Sequence, residues 1–301
     1  MNYREHRYTS RDGLSLYFRD YGSGGPVVLC LHGLTRNSRD FHVLASHLCE
    51  RYRVLVPDVR GRGRSDRDAN RNNYNPAVYV RDAWQLLDEQ EIREVALIGT
   101  SMGGLMGMIM ADQQAARLRG LVLNDIGPEV PGAAVARIMA YAGKSLPVQN
   151  WDEAAERTRE AYEPALPGMP AEFWREYVRL GWRENDAGRP EPDVDPAVGE
   201  ALRNPPRILR ALQWLRRHGL VRRVAGVALD PWDAFRSVTM PGLLIHGVNS
   251  DVLTDDIIRR MRAVKPDLEV LDVPDRGHAP LLDEPVAQGA IDAFLARLDG
   301  R

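Results

Sequence analysis

A chain of 301 residues with 44% hydrophobic and 27% charged side chains has the size and composition of one large folded domain, or of a domain carrying an insertion. Its 40 basic and 42 acidic side chains leave a net charge of -2, so neither nucleic acid nor a membrane is expected as a partner, and a small-molecule substrate is. Residues 1–10 are polar and charged, unlike a secretory signal, and no uncharged window reaches membrane-spanning length, which makes the cytoplasm the expected compartment. Cys30, inside an apolar run, and Cys49, at the end of an amphipathic stretch, are expected to be reduced, and neither has the spacing of a metal ligand.

Tyr3–Thr9 and 14–21 alternate as two strands joined by a turn at Arg11, Asp12 and Gly13, which predicts an antiparallel hairpin at a sheet edge. Val27–Leu31 is continuously apolar, as a strand covered on both faces should be, and it runs into His32-Gly33-Leu34. A helix over 39–50 and a strand over 53–56 follow. The next loop, 57–66, carries three arginines interleaved with aspartates and lacks a P-loop lysine, so it reads as a solvated structural turn. A helix over 76–91, a strand over 95–98, a helix from Met102 to Gln114 and a strand over 121–124 complete an alternation that predicts a mostly parallel sheet wrapped by helices.

From 127 to 236 the texture changes to proline clusters, tryptophans and helix-period segments at 133–142, 152–162, 171–185 and 207–218. That stretch reads as an inserted all-helical cap between two parts of a core, 1–126 and 237–301. The alternation resumes with a strand over 242–246, a helix over Asp255–Val264, a strand over 268–273 and a closing helix over Pro285–Leu298.

The chemistry centres on Gly99-Thr100-Ser101-Met102-Gly103, where a strand gives way to a helix. Flanking glycines let a sharp turn hold the Ser101 hydroxyl out of the fold, and the helix start aims its free N–H groups at it. A serine hydroxyl is a weak nucleophile at neutral pH and needs a histidine base, an orienting acid and oxyanion donors. Of the seven histidines, His278 sits in a glycine-containing loop beyond the last strand and is the strongest base candidate. Asp251 follows the strand 242–246 and Asp125 follows 121–124; either could orient His278, and Asp251 is preferred because serine, acid and histidine then occur in the chain order expected for this elbow. The N–H groups of Leu34 and Met102 are the expected oxyanion donors. Arg36, beside the oxyanion loop, and the cap tryptophans Trp174, Trp182 and Trp214, with Tyr177, are candidate substrate contacts, set against their readings as a solvated arginine and as packing aromatics.

In order, His32-Gly33-Leu34, the 58–66 loop, Gly99 to Gly104, Asp251 and Gly277-His278 resemble the α/β-hydrolase fold superfamily from residue 22 to the end, the cap apart. The resemblance implies an eight-stranded mostly parallel sheet, a helical cap, no cofactor or metal, and a Ser-His-Asp hydrolase mechanism. Epoxide hydrolases and haloalkane dehalogenases of this superfamily place an aspartate where this chain has Ser101. Hydrolases that cleave carbon-carbon bonds of aromatic ring-fission products share Ser101-Met102-Gly103-Gly104, but usually have a glycine-rich loop and a tryptophan where Leu34-Thr35-Arg36 and Ala279 stand. An ester or lactone hydrolase is therefore expected, with carbon-carbon hydrolysis and a slow-turnover ligand receptor as the alternatives.

Overall fold

The computed structural model describes residues 3–22, 24–144, 147–224 and 227–300. Eight strands form one sheet: β1 (Tyr3–Thr9), β2 (Ser15–Tyr21), β3 (Val27–Leu31), β4 (Arg53–Pro57), β5 (Val95–Thr100), β6 (Leu118–Asn124), β11 (Gly242–Gly247) and β12 (Glu269–Val273). Four short strands, β7 (Trp182–Glu184) with β8 (Pro190–Pro192) and β9 (Arg223–Val224) with β10 (Val227–Ala228), make two small antiparallel pairs outside it. The sheet order is β1-β2-β4-β3-β5-β6-β11-β12. Within this sheet only the β1/β2 and β2/β4 pairings are antiparallel, the first as the hairpin turn at residues 10–14 requires.

The apolar runs of the inner strands divide by alternation between two faces. Leu29, Leu31, Leu97, Leu121 and Leu123 pack with helices α2 (Pro76–Glu89) and α3 (Met102–Gln114). Val28, Cys30, Ala96, Ile98 and Val122 pack with α1 (His42–Leu48) and α11 (Pro285–Leu298). Cys30 and Cys49 are both free, and burial pushes the Cys30 thiol pKa up.

Between β6 and β11 lie helices α4 (Gly132–Tyr141), α5 (Trp151–Tyr162), α6 (Ala171–Gly181), α7 (Pro196–Arg203), α8 (Arg207–Arg217) and α9 (Pro231–Arg236); α10 (Asp255–Val264) follows β11. Part of this segment has its own small core around Val148, Trp174 and Val178. The helix expected over 171–185 stops at Gly181. Beyond it, Asn185 accepts from the N–H groups of Ala187 and Arg189, Gly188 takes φ +71°, and the chain turns into the β7/β8 hairpin.

The 57–66 loop is not the solvated turn its composition suggests. Arg60 is fully buried and pairs with Asp12 (2.8 Å), Asp68 (2.5 Å) and Asp82 (2.6 Å), which ties the β1/β2 turn to α2. Arg62 is equally buried, with its guanidinium 4.7 Å from the centroid of the Tyr79 ring. Asp58 accepts from the backbone N–H of Ser38 (2.6 Å) and Arg64 (2.8 Å), and a Cβ on Gly63 would meet its carboxylate at 2.2 Å. Three aspartates make burial of the Arg60 charge tolerable, whereas Arg62 donates to the carbonyls of Leu34 and Arg60 and makes no ion pair among the described residues.

Candidate active site

Ser101 sits between β5 and α3 with φ 51°, a left-handed conformation that costs a non-glycine residue on the order of 1–2 kcal/mol. Its neighbours allow the turn. A Cβ on Gly99 would meet the carbonyl carbon of Gly103 at 2.4 Å, and one on Gly103 would meet the carbonyl oxygen of Leu31 at 2.0 Å. Only glycine at both positions lets α3 approach the strands closely enough to project the serine.

His278, on the loop after β12, places Nε2 2.9 Å from Ser101 Oγ. Its Nδ1 lies 2.8 Å from Asp125 Oδ2, so the acid in contact with the imidazole is Asp125 at the end of β6. Asp251, the acid preferred from the sequence, instead accepts two hydrogen bonds from Arg137 on its half-exposed carboxylate, at 2.7 and 2.6 Å, and chain order does not separate the two, since Ser101, Asp125 and His278 follow the same order. Burial would raise the Asp251 pKa, but those bonds to Arg137 hold it below the ordinary value. Asp125 is fully buried and also accepts from Gly247 N–H (2.9 Å) and from the Ser250 hydroxyl (2.6 Å). These donors stabilise a carboxylate without water. The Ser250 contact left no signal in the sequence, since nothing in Asn249-Ser250-Asp251 tells which side chain points back toward β6.

Leu34 and Met102 flank the serine in the same cavity, and neither N–H has a protein acceptor among the described residues. The Leu34 loop is held from behind. Arg62 Nε donates to the Leu34 carbonyl at 2.9 Å, and Arg62 Nη2 lies 3.7 Å from the Met102 sulfur. His32 braces the same loop as a neutral ring: Val59 N–H donates to Nε2 (3.0 Å), so the proton is on Nδ1, which donates to the Gly33 carbonyl (2.7 Å).

Burial lowers the His32 pKa to about 3, well under the 6.5 of a free imidazole. The unfolded chain therefore binds a proton that the folded chain refuses between those two values, and stability falls as pH drops through that window. Loss on the order of 4 kcal/mol is expected across it, while above pH 7 this group contributes no slope. Thermal melts of the wild type and of His32→Gln, followed from pH 7 downward, should differ in slope, with the variant flatter.

The cavity measures about 570 Å³ and is mainly apolar, and Ser101, His278, Arg36, Tyr162 and Tyr177 are among the residues that line it. Arg36 is not solvated. Its Nε and Nη2 each donate to Asp40 at 2.7 Å, and the guanidinium carbon lies 4.5 Å from the Tyr177 ring centroid. Burial opposes its charge, but Asp40 keeps the pKa above the ordinary arginine value. Arg36 Nη1 has no acceptor among the described residues. Of the candidate aromatic contacts, Tyr177 lines the cavity and the three tryptophans do not. Trp174 is buried in the small core, with Nε1 donating to the Met169 carbonyl; Trp182 packs against that core; Trp214 is 54% exposed on α8.

The sheet order, the elbow serine and the histidine loop define an α/β hydrolase, and the family model for the alpha/beta hydrolase fold matches residues 26–285. The chain belongs to that family. It is 36% identical over 267 residues to the 3-hydroxybutyrate-oligomer hydrolase of Cupriavidus necator, covering 88% of this chain and 86% of the relative. It is 25% identical over 266 residues to the 2-(acetamidomethylene)succinate hydrolase of Mesorhizobium japonicum, covering 88% and 85%. An alpha/beta hydrolase crystal structure from Novosphingobium aromaticivorans superimposes with a TM-score of 0.87 at 36% identity, covering 98% of this chain and 99% of that one.

Proposed function

We propose that this chain is a serine hydrolase that cleaves a small ester or lactone through an acyl-enzyme. The observation that carries the reading is the unbroken line of hydrogen bonds from Ser101 Oγ through His278 to Asp125, opening on an apolar cavity. In this reading Ser101 Oγ attacks the acyl carbon while His278 Nε2 takes its proton, and the Asp125 carboxylate stabilises the imidazolium. The N–H groups of Leu34 and Met102 receive the oxyanion, each lowering the barrier by about 3 kcal/mol. His278 then returns the proton to the leaving alkoxide, and water enters by the same route in reverse. Helices α4 to α7 supply the far wall and act as a cap, with Val135, Tyr177 and Leu202 among the lining residues.

Similarity to a 3-hydroxybutyrate-oligomer hydrolase supports short hydroxyacid esters as the substrate class. Arg36, which lines the cavity, is the cation available there to the free carboxylate of such a product or substrate, although two of its nitrogens are already engaged by Asp40.

The test combines a fluorophosphonate probe, with the labelled peptide mapped, and a turnover panel of linear 3-hydroxybutyrate oligomers, p-nitrophenyl esters, lactones and a ring-fission diketone. Labelling at Ser101 with multiple turnover of esters is the expected result. Faster turnover of the diketone would favour carbon-carbon hydrolysis, and a single burst without turnover would favour a receptor.

A further inference from the structure

The near-neutral balance of the whole chain hides a local segregation of charge. Residues 201–229 contain seven arginines and no aspartate or glutamate. They include α8, Arg207–Arg217, in which no residue is buried. Leu209, Leu212 and Leu215 are half-buried along its inner side, while Arg207, Arg210, Trp214 and Arg217 follow one another at helical spacing on the outer side. Trp214 is 54% exposed, Ile208 65% and the following Leu220 63%. The side chains of Arg207, Arg210, Arg217 and Arg222 are exposed and make no ion pair among the described residues, whereas Arg216 pairs with Asp230 and Arg223 with Asp112.

We propose that α8 and the turn after it form a peripheral docking surface for an anionic phospholipid bilayer. An amphipathic helix with arginines beside an exposed tryptophan and aliphatic side chains lies in the interface plane, with the guanidinium groups at headgroup phosphates and the apolar tips among the acyl chains. A nucleic acid would engage the arginines but offers no apolar medium to Ile208 and Leu220. A second copy of the chain would bring two sets of unpaired arginines together, and like charges would oppose it. Among the described residues no helix is long and apolar enough to cross a membrane, and the proposed contact is that of a helix lying in the interface. Helix α7, which contributes Val198 and Leu202 to the cavity wall, precedes α8 by three residues, so docking holds the cavity close to a lipid phase.

The full chain should co-sediment at low salt with phosphatidylcholine vesicles containing about a third phosphatidylglycerol, not with pure phosphatidylcholine, and should be released by high salt. Each arginine at the surface is worth about fivefold, so Arg210→Gln with Arg217→Gln should lower the partition coefficient about 25-fold. Trp214→Ala should weaken it independently of salt. Both variants should keep wild-type ester turnover in solution, which reports intact folding. No sedimentation with either vesicle, equal binding to both, tighter binding to duplex DNA, or a dimer abolished by the same substitutions would overturn the proposal.

Discussion

Asp125→Asn should lower kcat about 10⁴-fold, whereas Asp251→Asn should leave it within a few-fold of wild type. The difference comes from what each carboxylate touches. Asp125 holds His278 Nδ1 at 2.8 Å from a fully buried position, so its charge acts on the imidazolium with little screening. Asparagine at 125 keeps a carbonyl oxygen for Gly247 N–H, but it removes that charge and permits the wrong imidazole tautomer. Asp251 pairs with Arg137 at the surface, where such a pair is worth at most about 1 kcal/mol. Steady-state kinetics on one ester would decide it, and a dead Asp251→Asn beside an active Asp125→Asn would restore Asp251 as the acid.

Ser101→Ala should be more severe, lowering kcat on the order of 10⁶-fold and abolishing fluorophosphonate labelling. Alanine can occupy the φ 51° position as the serine does, and the Gly99 and Gly103 contacts that shape the turn are untouched. The melting temperature should therefore stay close to wild type. A residual rate above that of water is expected, because Leu34 and Met102 N–H would still receive the oxyanion of a directly attacking water. Undiminished turnover in this variant would reject the nucleophile assignment.

The sheet is almost fully legible because its inner strands are short, continuously apolar runs, its edge hairpin alternates, and glycine, proline and aspartate punctuate them. Helices α7 and α9 lie outside the helix-period segments expected between 127 and 236. Each opens on an Asp-Pro pair, in which Asp195 or Asp230 accepts from the helix backbone and the proline fills the first turn. The choice between Asp125 and Asp251 was not legible, since both follow a strand and periodicity does not say which carboxylate turns inward. The tryptophans misled for a similar reason: helical spacing marks an aromatic face but not whether it meets a core, the solvent or the cavity. The burial of Arg60 and Arg62 depends on Asp12, Asp68, Asp82 and the Leu34 carbonyl, and sequence separation conceals such partners.

The long excursion between β6 and β11 leaves and rejoins the sheet on adjacent strands, paired from Gly242 with Leu121 to Ile245 with Asn124. Asp125 stands at the departure point, its N–H donating to the Ile245 carbonyl and its carboxylate receiving the N–H of Gly247 on the returning strand. Whatever the excursion's length or composition, this clasp fixes both of its ends. Variation there can reshape the chamber over Ser101 while the acid and the histidine it touches keep their places, so selectivity and reactivity are free to diverge independently.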